Sequence, residues 1–353
     1  MEPFVYEALP VRVIFGSGTV AQLKPEAERL GVRRVLVLTT PGRGEVQANE
    51  IAALLGERSG GVHAGAVMHT PVAVTECAVQ IVRERAVDAV VSYGGGSTTG
   101  LGKAIALRTD LPQIVLPTTY AGSEVTPVLG ETQDGAKATQ RTLRVLPEVV
   151  IYDVDLTLGL PAAISGTSGM NAIAHAVEAL YAVDRNPVIS LLAEDGIAAL
   201  ARALPRISEA LQDRVARSDA LYGAWLCGTC LGAVSMALHH KLCHVLGGAF
   251  DLPHAETHTA ILPHATAYNA GAAPEAMTRV ARALGRPDPP RALFELAGRL
   301  GAKRSLRDLG MPQDGIERVV EQTMATPYPN PRPLDASAIR DLVFRAWKGE
   351  PPP

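Results

Sequence analysis

Six of the nine histidines in this 353-residue chain fall between positions 239 and 264: His239, His240, His244, His254, His258 and His264. Imidazole is the usual ligand of first-row metals and the usual proton carrier near neutral pH, so this density calls for one of those chemistries. His240 and His244 are four residues apart and share a helix face. Asn171 and His175 repeat that spacing earlier in the chain, with Glu178 one turn further on. Together with His254 on a following loop, these groups are expected to converge in a cleft between domains. His239, His258 and His264 read as hydrogen-bonded packing residues, with His258 still able to line the cleft. Cys227-Gly228-Thr229-Cys230 has redox spacing, but it sits in an apolar helical stretch with no second pair and reads as packing.

A second constellation suits phosphate. The apolar run Val87-Asp88-Ala89-Val90-Val91-Ser92 leads into Tyr93-Gly94-Gly95-Gly96-Ser97-Thr98-Thr99, and a helix follows. Glycines let the backbone approach an anion, and the first N–H groups of the helix point at it along a favourable dipole. Lys103, one turn on, is expected to add charge. The run is neither a G-x-G-x-x-G nor a Walker loop. The stretch Pro117-Thr118-Thr119-Tyr120-Ala121-Gly122-Ser123-Glu124 also follows a strand. In a parallel sheet it emerges at the same carboxyl edge, where ligands bind.

The elements that must position these groups divide the chain in two. Up to about residue 158, strands at Val11–Phe15, Arg33–Leu38, Gly65–Met68, Val87–Ser92, Gln113–Leu116 and Val149–Tyr152 alternate with helical stretches at Glu45–Leu55, Val72–Arg85 and Thr99–Leu107. Their nearly continuous apolar character predicts a parallel, Rossmann-like sheet covered on both faces, a dinucleotide-binding α/β domain spanning 1–158. From 159 to 353 the periodicity is helical, at Ala162–Tyr181, Pro187–Leu211, Ser218–His244, Ala276–Leu284, Ala292–Leu300, Pro312–Met324 and Ala336–Lys348. That predicts an all-α domain carrying the histidines. With 33 basic and 36 acidic residues the net charge is −3, which leaves no footprint for nucleic acid or an anionic membrane. No apolar run reaches the ~20 residues of a membrane span. The N-terminus lacks a secretory pattern, and four cysteines do not suggest a disulfide framework, so a cytoplasmic location is expected.

Taken together, the glycine turn and the spaced histidines resemble the iron-containing (group III) alcohol dehydrogenase superfamily along essentially the whole chain. Within it, Gly94–Leu101, Thr118–Glu124, Gly169-Met170-Asn171-Ala172 and Asn330-Pro331-Arg332-Pro333 are similar to the maleylacetate reductase versions. The resemblance implies a dehydroquinate-synthase-like architecture, with the pyrophosphate held by Gly94, Gly95, Gly96, Ser97, Lys103, Thr118 and Thr119. Thr39-Thr40-Pro41 stands where a carboxylate often binds the adenosine ribose. Thr39 and Pro41 are therefore expected to accept NADH without rejecting NADPH. The superfamily's metal-ligand positions hold Asn171, His175, His240 and His254, and His244 falls near the nicotinamide. An amide at 171 removes the site's one anionic ligand, so no metal is expected; His175, His240 and His254 would be its ligands if one bound.

The implied reaction is NAD(P)H-dependent reduction of the carbon–carbon double bond of 2-maleylacetate to 3-oxoadipate in aromatic catabolism. His244, His240, His175, His254 and Asn171 would be the catalytic set. Tyr120, Ser123, Lys241 and Arg332 are candidates for holding the dicarboxylate substrate. The alternative is a metal-dependent alcohol or polyol dehydrogenase of the same superfamily. A homodimer is implied, with no nucleic-acid or membrane partner.

Overall fold

The computed structural model describes residues 3–133 and 136–353, and they fall into two compact units. The first, Leu9–Leu160, is built on a six-stranded sheet in the order β1-β8-β5-β4-β2-β3, every neighbouring pair parallel. Its strands are β1 (Arg12–Gly16), β2 (Val35–Leu38), β3 (Ser59–His63), β4 (Ala89–Gly94), β5 (Gln113–Pro117) and β8 (Val149–Asp153). An antiparallel hairpin, β6 (Val128–Gln133) with β7 (Ala136–Arg141), stands apart from the sheet. The helices are α1 (Leu23–Arg29), α2 (Arg43–Leu54), α3 (Val72–Glu84) and α4 (Gly96–Thr109).

Alternation along β2 shows how both faces are buried. Val35 and Val37 pack with Leu23, Ala27 and Ile51 of α1 and α2, whereas Leu36 and Leu38 pack with Ala78, Val82, Leu101 and Ile105 of α3 and α4. The strand order reverses direction between β2 and β4. The chain runs outward from β2 to β3, then returns to β4 on the other side of β2 and continues through β5. The carboxyl ends of β2 and β4 therefore flank the crevice where doubly wound sheets take their ligands.

The second unit, Pro161–Pro353 with residues 3–8, is helical. Its elements are α5 (Ala162–Ala179), α6 (Pro187–Glu209), α7 (Arg214–Ala233), α8 (Leu238–Phe250), α9 (His254–Ala270), α10 (Pro274–Leu284), α11 (Pro289–Arg299), α12 (Gly315–Ala325) and α13 (Ala336–Lys348). Helix α5 is buried continuously from Ser165 to Ala179, so small residues dominate it. Helices α6 and α7 meet backbone to backbone: a methyl group on Gly223 would lie 2.9 Å from the Gly196 carbonyl oxygen. Leu238, Leu242 and Leu246 of α8 join Ile261, Val319, Ile339 and Val343 in one apolar core. No single helix among the described residues is long and apolar enough to cross a membrane.

The expected α/β unit followed by a helical one is the observed fold, with local corrections. The third strand is Ser59–His63 and not Gly65–Met68. It carries Gly60, where an added Cβ would sit 3.1 Å from the Val35 carbonyl oxygen, so close approach replaces β-branched packing there. The single helix expected over Ser218–His244 is two helices, broken between Ala233 and Leu238. Asp184 captures the Ser235 N–H at 2.9 Å and its hydroxyl at 2.8 Å, diverting the backbone from the helix ladder. Helix α9 was not foreseen, because Pro263 interrupts its pattern.

His264 of α9 shows what that burial costs. Neither ring nitrogen has a hydrogen-bond partner among the described residues, and the ring packs near Phe294. Desolvation, with a smaller contribution from Arg345, pushes its pKa down to about 4. The unfolded chain takes up a proton near pH 6.5 that the folded chain refuses until about 4, so stability falls as pH drops through that window. The loss attributable to this residue is up to roughly 3 kcal/mol. In urea titrations between pH 4 and 7, His264→Leu is expected to flatten the acid-side decline, and an unchanged slope would contradict this account.

Candidate active site

In the α/β unit, strand β4 ends at Gly94 with φ of 150°, a conformation glycine adopts without strain. Gly95 is the N-cap of α4 and supplies no side-chain cap to the helix's first N–H groups. A Cβ at Gly95 would lie 2.9 Å from both Oγ1 and Cγ2 of Thr119, and the Thr118 N–H donates to the Gly94 carbonyl at 2.9 Å. The glycine turn and the Thr118-Thr119 loop thus form one cradle, with Gly96 exposed and Ser97 half-buried at its lip. These donors and this space fit a dinucleotide pyrophosphate. Thr39 and Pro41 follow β2, on the other side of the switch point.

Lys103 does not join this cradle, contrary to expectation. It is 1% exposed, and its Nζ donates to the carbonyls of Ser123 (2.6 Å), Thr126 (2.7 Å) and Val128 (2.9 Å) and to Thr126 Oγ1 (2.9 Å). Burial pushes its pKa down to about 7, opposed by the nearby Glu124 carboxyl. Its role is to tie α4 to the loop leading into β6. Tyr120 is fully buried and Ser123 half-buried on that same loop.

In the helical unit the imidazoles do converge. Asn171, His175 and Glu178 line one face of α5 and are 4%, 3% and 0% exposed. The Asn171 amide Nδ2 lies 3.4 Å from His175 Nε2, His175 Nδ1 lies 2.8 Å from His240 Nε2, and His240 Nδ1 lies 2.6 Å from Glu178 Oε2. Helix α8 has no side-chain cap of its own at Ala237. Glu178 replaces it, accepting the N–H groups of Ala237 and His239 at 2.8 Å each and of His240 at 3.4 Å. A carboxylate at a helix N-terminus is favoured by hydrogen bonding and by the dipole.

His254 is the first residue of α9 and not part of a loop, and its ring centroid lies 4.3 Å from that of His258. His258 also sits 5.0 Å from His240 and 4.8 Å from His239, ring to ring, so both residues read as packing belong to the cluster. His239 Nε2 and His258 Nδ1 share a hydrogen bond at 3.0 Å. Desolvation first, and the surrounding imidazoles second, hold both rings well below the usual histidine pKa, so they are neutral. His264 lies outside the group. His244 is half-buried, with its Nδ1 3.0 Å from the Tyr328 hydroxyl. Burial, then the Glu178 charge, raises the Tyr328 pKa and keeps it a phenol. Tyr328 and the capping role of Glu178 went unread in the sequence.

Lys241 Nζ donates to Thr326 Oγ1 at 2.6 Å and lies 5.7 Å from the centre of the Tyr328 ring. Arg332 is exposed, with its guanidinium 4.2 Å over the Tyr268 ring and donating to the Tyr268 carbonyl, which holds the proline-rich segment in place. Asn330 of that segment accepts from the Leu238 N–H and exchanges hydrogen bonds with Asn269.

As a metal centre, the set Asn171, His175 and His240 lacks an anionic ligand. His175 Nδ1 and His240 Nε2 approach to hydrogen-bond distance, 2.8 Å, whereas two nitrogens on one tetrahedral zinc lie roughly 3.3 Å apart. Position 171 offers an amide in place of an anion.

Residues 10–154 match the iron-containing alcohol dehydrogenase family, and residues 165–347 match its C-terminal domain. The chain belongs to the iron-containing alcohol dehydrogenase family. Its full-length relatives include the maleylacetate reductase of Sphingobium indicum, 57% identical with 99% of each chain covered, and that of Rhizobium sp., 54% identical with 100% of each covered. The crystal structure of maleylacetate reductase from Agrobacterium tumefaciens superposes with a TM-score of 0.95 at 56% identity, covering 100% of both chains.

The cradle makes a direct prediction. Gly95→Val fills the space against Thr119 and is expected to weaken NADH binding at least about tenfold, read by quenching of nicotinamide fluorescence. Unchanged affinity in a folded variant would remove the glycine turn from the cofactor site.

Proposed function

We propose that this chain is a maleylacetate reductase, reducing the carbon–carbon double bond of 2-maleylacetate to 3-oxoadipate. The observation that carries the mechanism is the amide-terminated imidazole chain at Asn171, His175 and His240, alongside full-length relatives of that activity. NAD(H), when bound at the glycine turn, supplies the hydride. The substrate alkene is conjugated to a ketone, so reduction at the carbon β to that ketone leaves an enolate. What the protein must provide is a hydrogen-bond donor for the enolate oxygen and a proton for the adjacent carbon.

Both ring nitrogens of His240 are already engaged, by Glu178 and by His175. His244 is therefore the donor we assign to the enolate oxygen. The Tyr328 hydroxyl, 3.0 Å from its Nδ1, orients the ring. Lys241, on the same helix, is the cation we assign to a substrate carboxylate. The buried His239–His258 pair keeps the surroundings dry and neutral, which strengthens every such interaction. No step requires a metal ion. With Thr39 and Pro41 after β2 and no carboxylate between them, we further propose that NADPH is accepted beside NADH.

The test is to mix purified protein with maleylacetate and either coenzyme and to follow the nicotinamide absorbance with and without EDTA. Oxidation of both coenzymes, unchanged by chelation, is expected. Loss of activity in EDTA with recovery on adding Zn²⁺ or Fe²⁺ would establish a metal-dependent dehydrogenase in its place. His244→Ala is expected to lower kcat by roughly 10²–10⁴ at saturating NADH. Near wild-type turnover would take His244 out of the reaction.

A further inference from the structure

Two imidazoles and a thiol meet where α8 packs against α9. His239 and Cys243 are four residues apart on α8 and share a face, and His258 reaches them from α9. They are 0%, 2% and 0% exposed. Cys243 Sγ lies 3.7 Å from His239 Nε2, and that nitrogen lies 3.0 Å from His258 Nδ1. Donor atoms from all three residues fall within 4.8 Å of one another. The outer nitrogens, His239 Nδ1 and His258 Nε2, have no hydrogen-bond partner among the described residues, so both rings direct their polar contacts at this one point. No step of the reduction proposed above uses the three side chains.

We infer that His239, Cys243 and His258 form a binding site for a monovalent thiophilic cation, Cu⁺. Two imidazoles with a thiolate suit copper, and sulfur favours its soft, lower oxidation state. Charge decides against a divalent ion. One thiolate neutralises Cu⁺, whereas Zn²⁺ on the same ligands would leave a net positive charge in a buried place with no second anionic ligand to meet it. Three ligands also fall one short of the four that a closed zinc site takes. A trigonal ion bonded at roughly 2.0 Å to nitrogen and 2.3 Å to sulfur sets sulfur and nitrogen about 3.7 Å apart and the two nitrogens about 3.5 Å apart. The first spacing is already present, and the imidazole pair must open by about 0.5 Å as the ion replaces their hydrogen bond. The thiol proton leaves as the copper–sulfur bond forms, with no change of oxidation state. His254, half-buried and with its ring centroid 4.3 Å from that of His258, marks the way in.

The experiment uses full-length protein carrying Cys77→Ser, which removes the exposed thiol. It is titrated anaerobically with Cu⁺ against a chromogenic Cu⁺ chelator, and the one-to-one complex is read by X-ray absorption. One equivalent is expected to bind, with one sulfur and two nitrogen neighbours, and the added change Cys243→Ser is expected to weaken it at least about 100-fold. Equal affinity in that variant would overturn the assignment. So would two sulfur neighbours, the signature of Cys227 with Cys230, or nitrogen alone, the signature of His175, His240 and His254. Failure to take up Cu⁺ at all has the same force. Should Cys243→Ser not fold, the ligand count at unaltered Cys243 decides alone. Reductase activity enters none of these readouts, so the proposed function stands or falls separately.

Discussion

The helical unit is organised around one buried carboxylate. Glu178 is fully inaccessible, and a charge so placed persists only when its oxygens are satisfied. It finds its partners in the first N–H groups of α8, which have no cap of their own and would otherwise be orphaned inside the protein. Each side answers the other's deficit. The contact fixes where α8 begins, and with it the direction in which His240 and His244 leave the helix. The orientation of His240 then passes to His175 and on to Asn171. Removing the carboxylate would leave several buried donors unmet at once, a more serious loss than that of any single imidazole.

The α/β unit solves a different problem, shaping an open cradle without spending a charged side chain on it. Its means are backbone: a glycine that tolerates φ of 150°, a second that leaves room against Thr119, and an uncapped helix start. The nearby cation, Lys103, serves architecture. Its ammonium gathers three carbonyls and a hydroxyl, and so determines the course of the chain from Ser123 to Val128.

The division into a parallel-sheet half and a helical half was legible because both periodicities are strong and local. The glycine turn was legible as a strand-to-helix junction because three consecutive glycines follow an apolar run there. The spacing of Asn171, His175, His240 and His254 marked the cluster, but the arrangement within it did not follow from spacing. Glu178 acts on residues some sixty positions away, and no local rule connects a glutamate on one helix with the unfilled cap of another. His239 and His258 read as packing when each is taken alone, yet their rings lie 4.8 Å apart and both border His240. Lys103 misled because position along a helix gives no sense of which way a long side chain turns once burial decides.

The order of the strands has a further consequence. The residues flanking the switch point, Thr39 to Pro41 and Gly94 to Ser97, belong to one unit of the chain, whereas every imidazole of the cluster belongs to the other. On the function proposed above, choice of reductant and treatment of the acceptor are written in separate stretches of sequence. Drift or design in one can proceed without rewriting the other, so a single scaffold can be retuned for a new electron source while its acceptor chemistry is inherited intact.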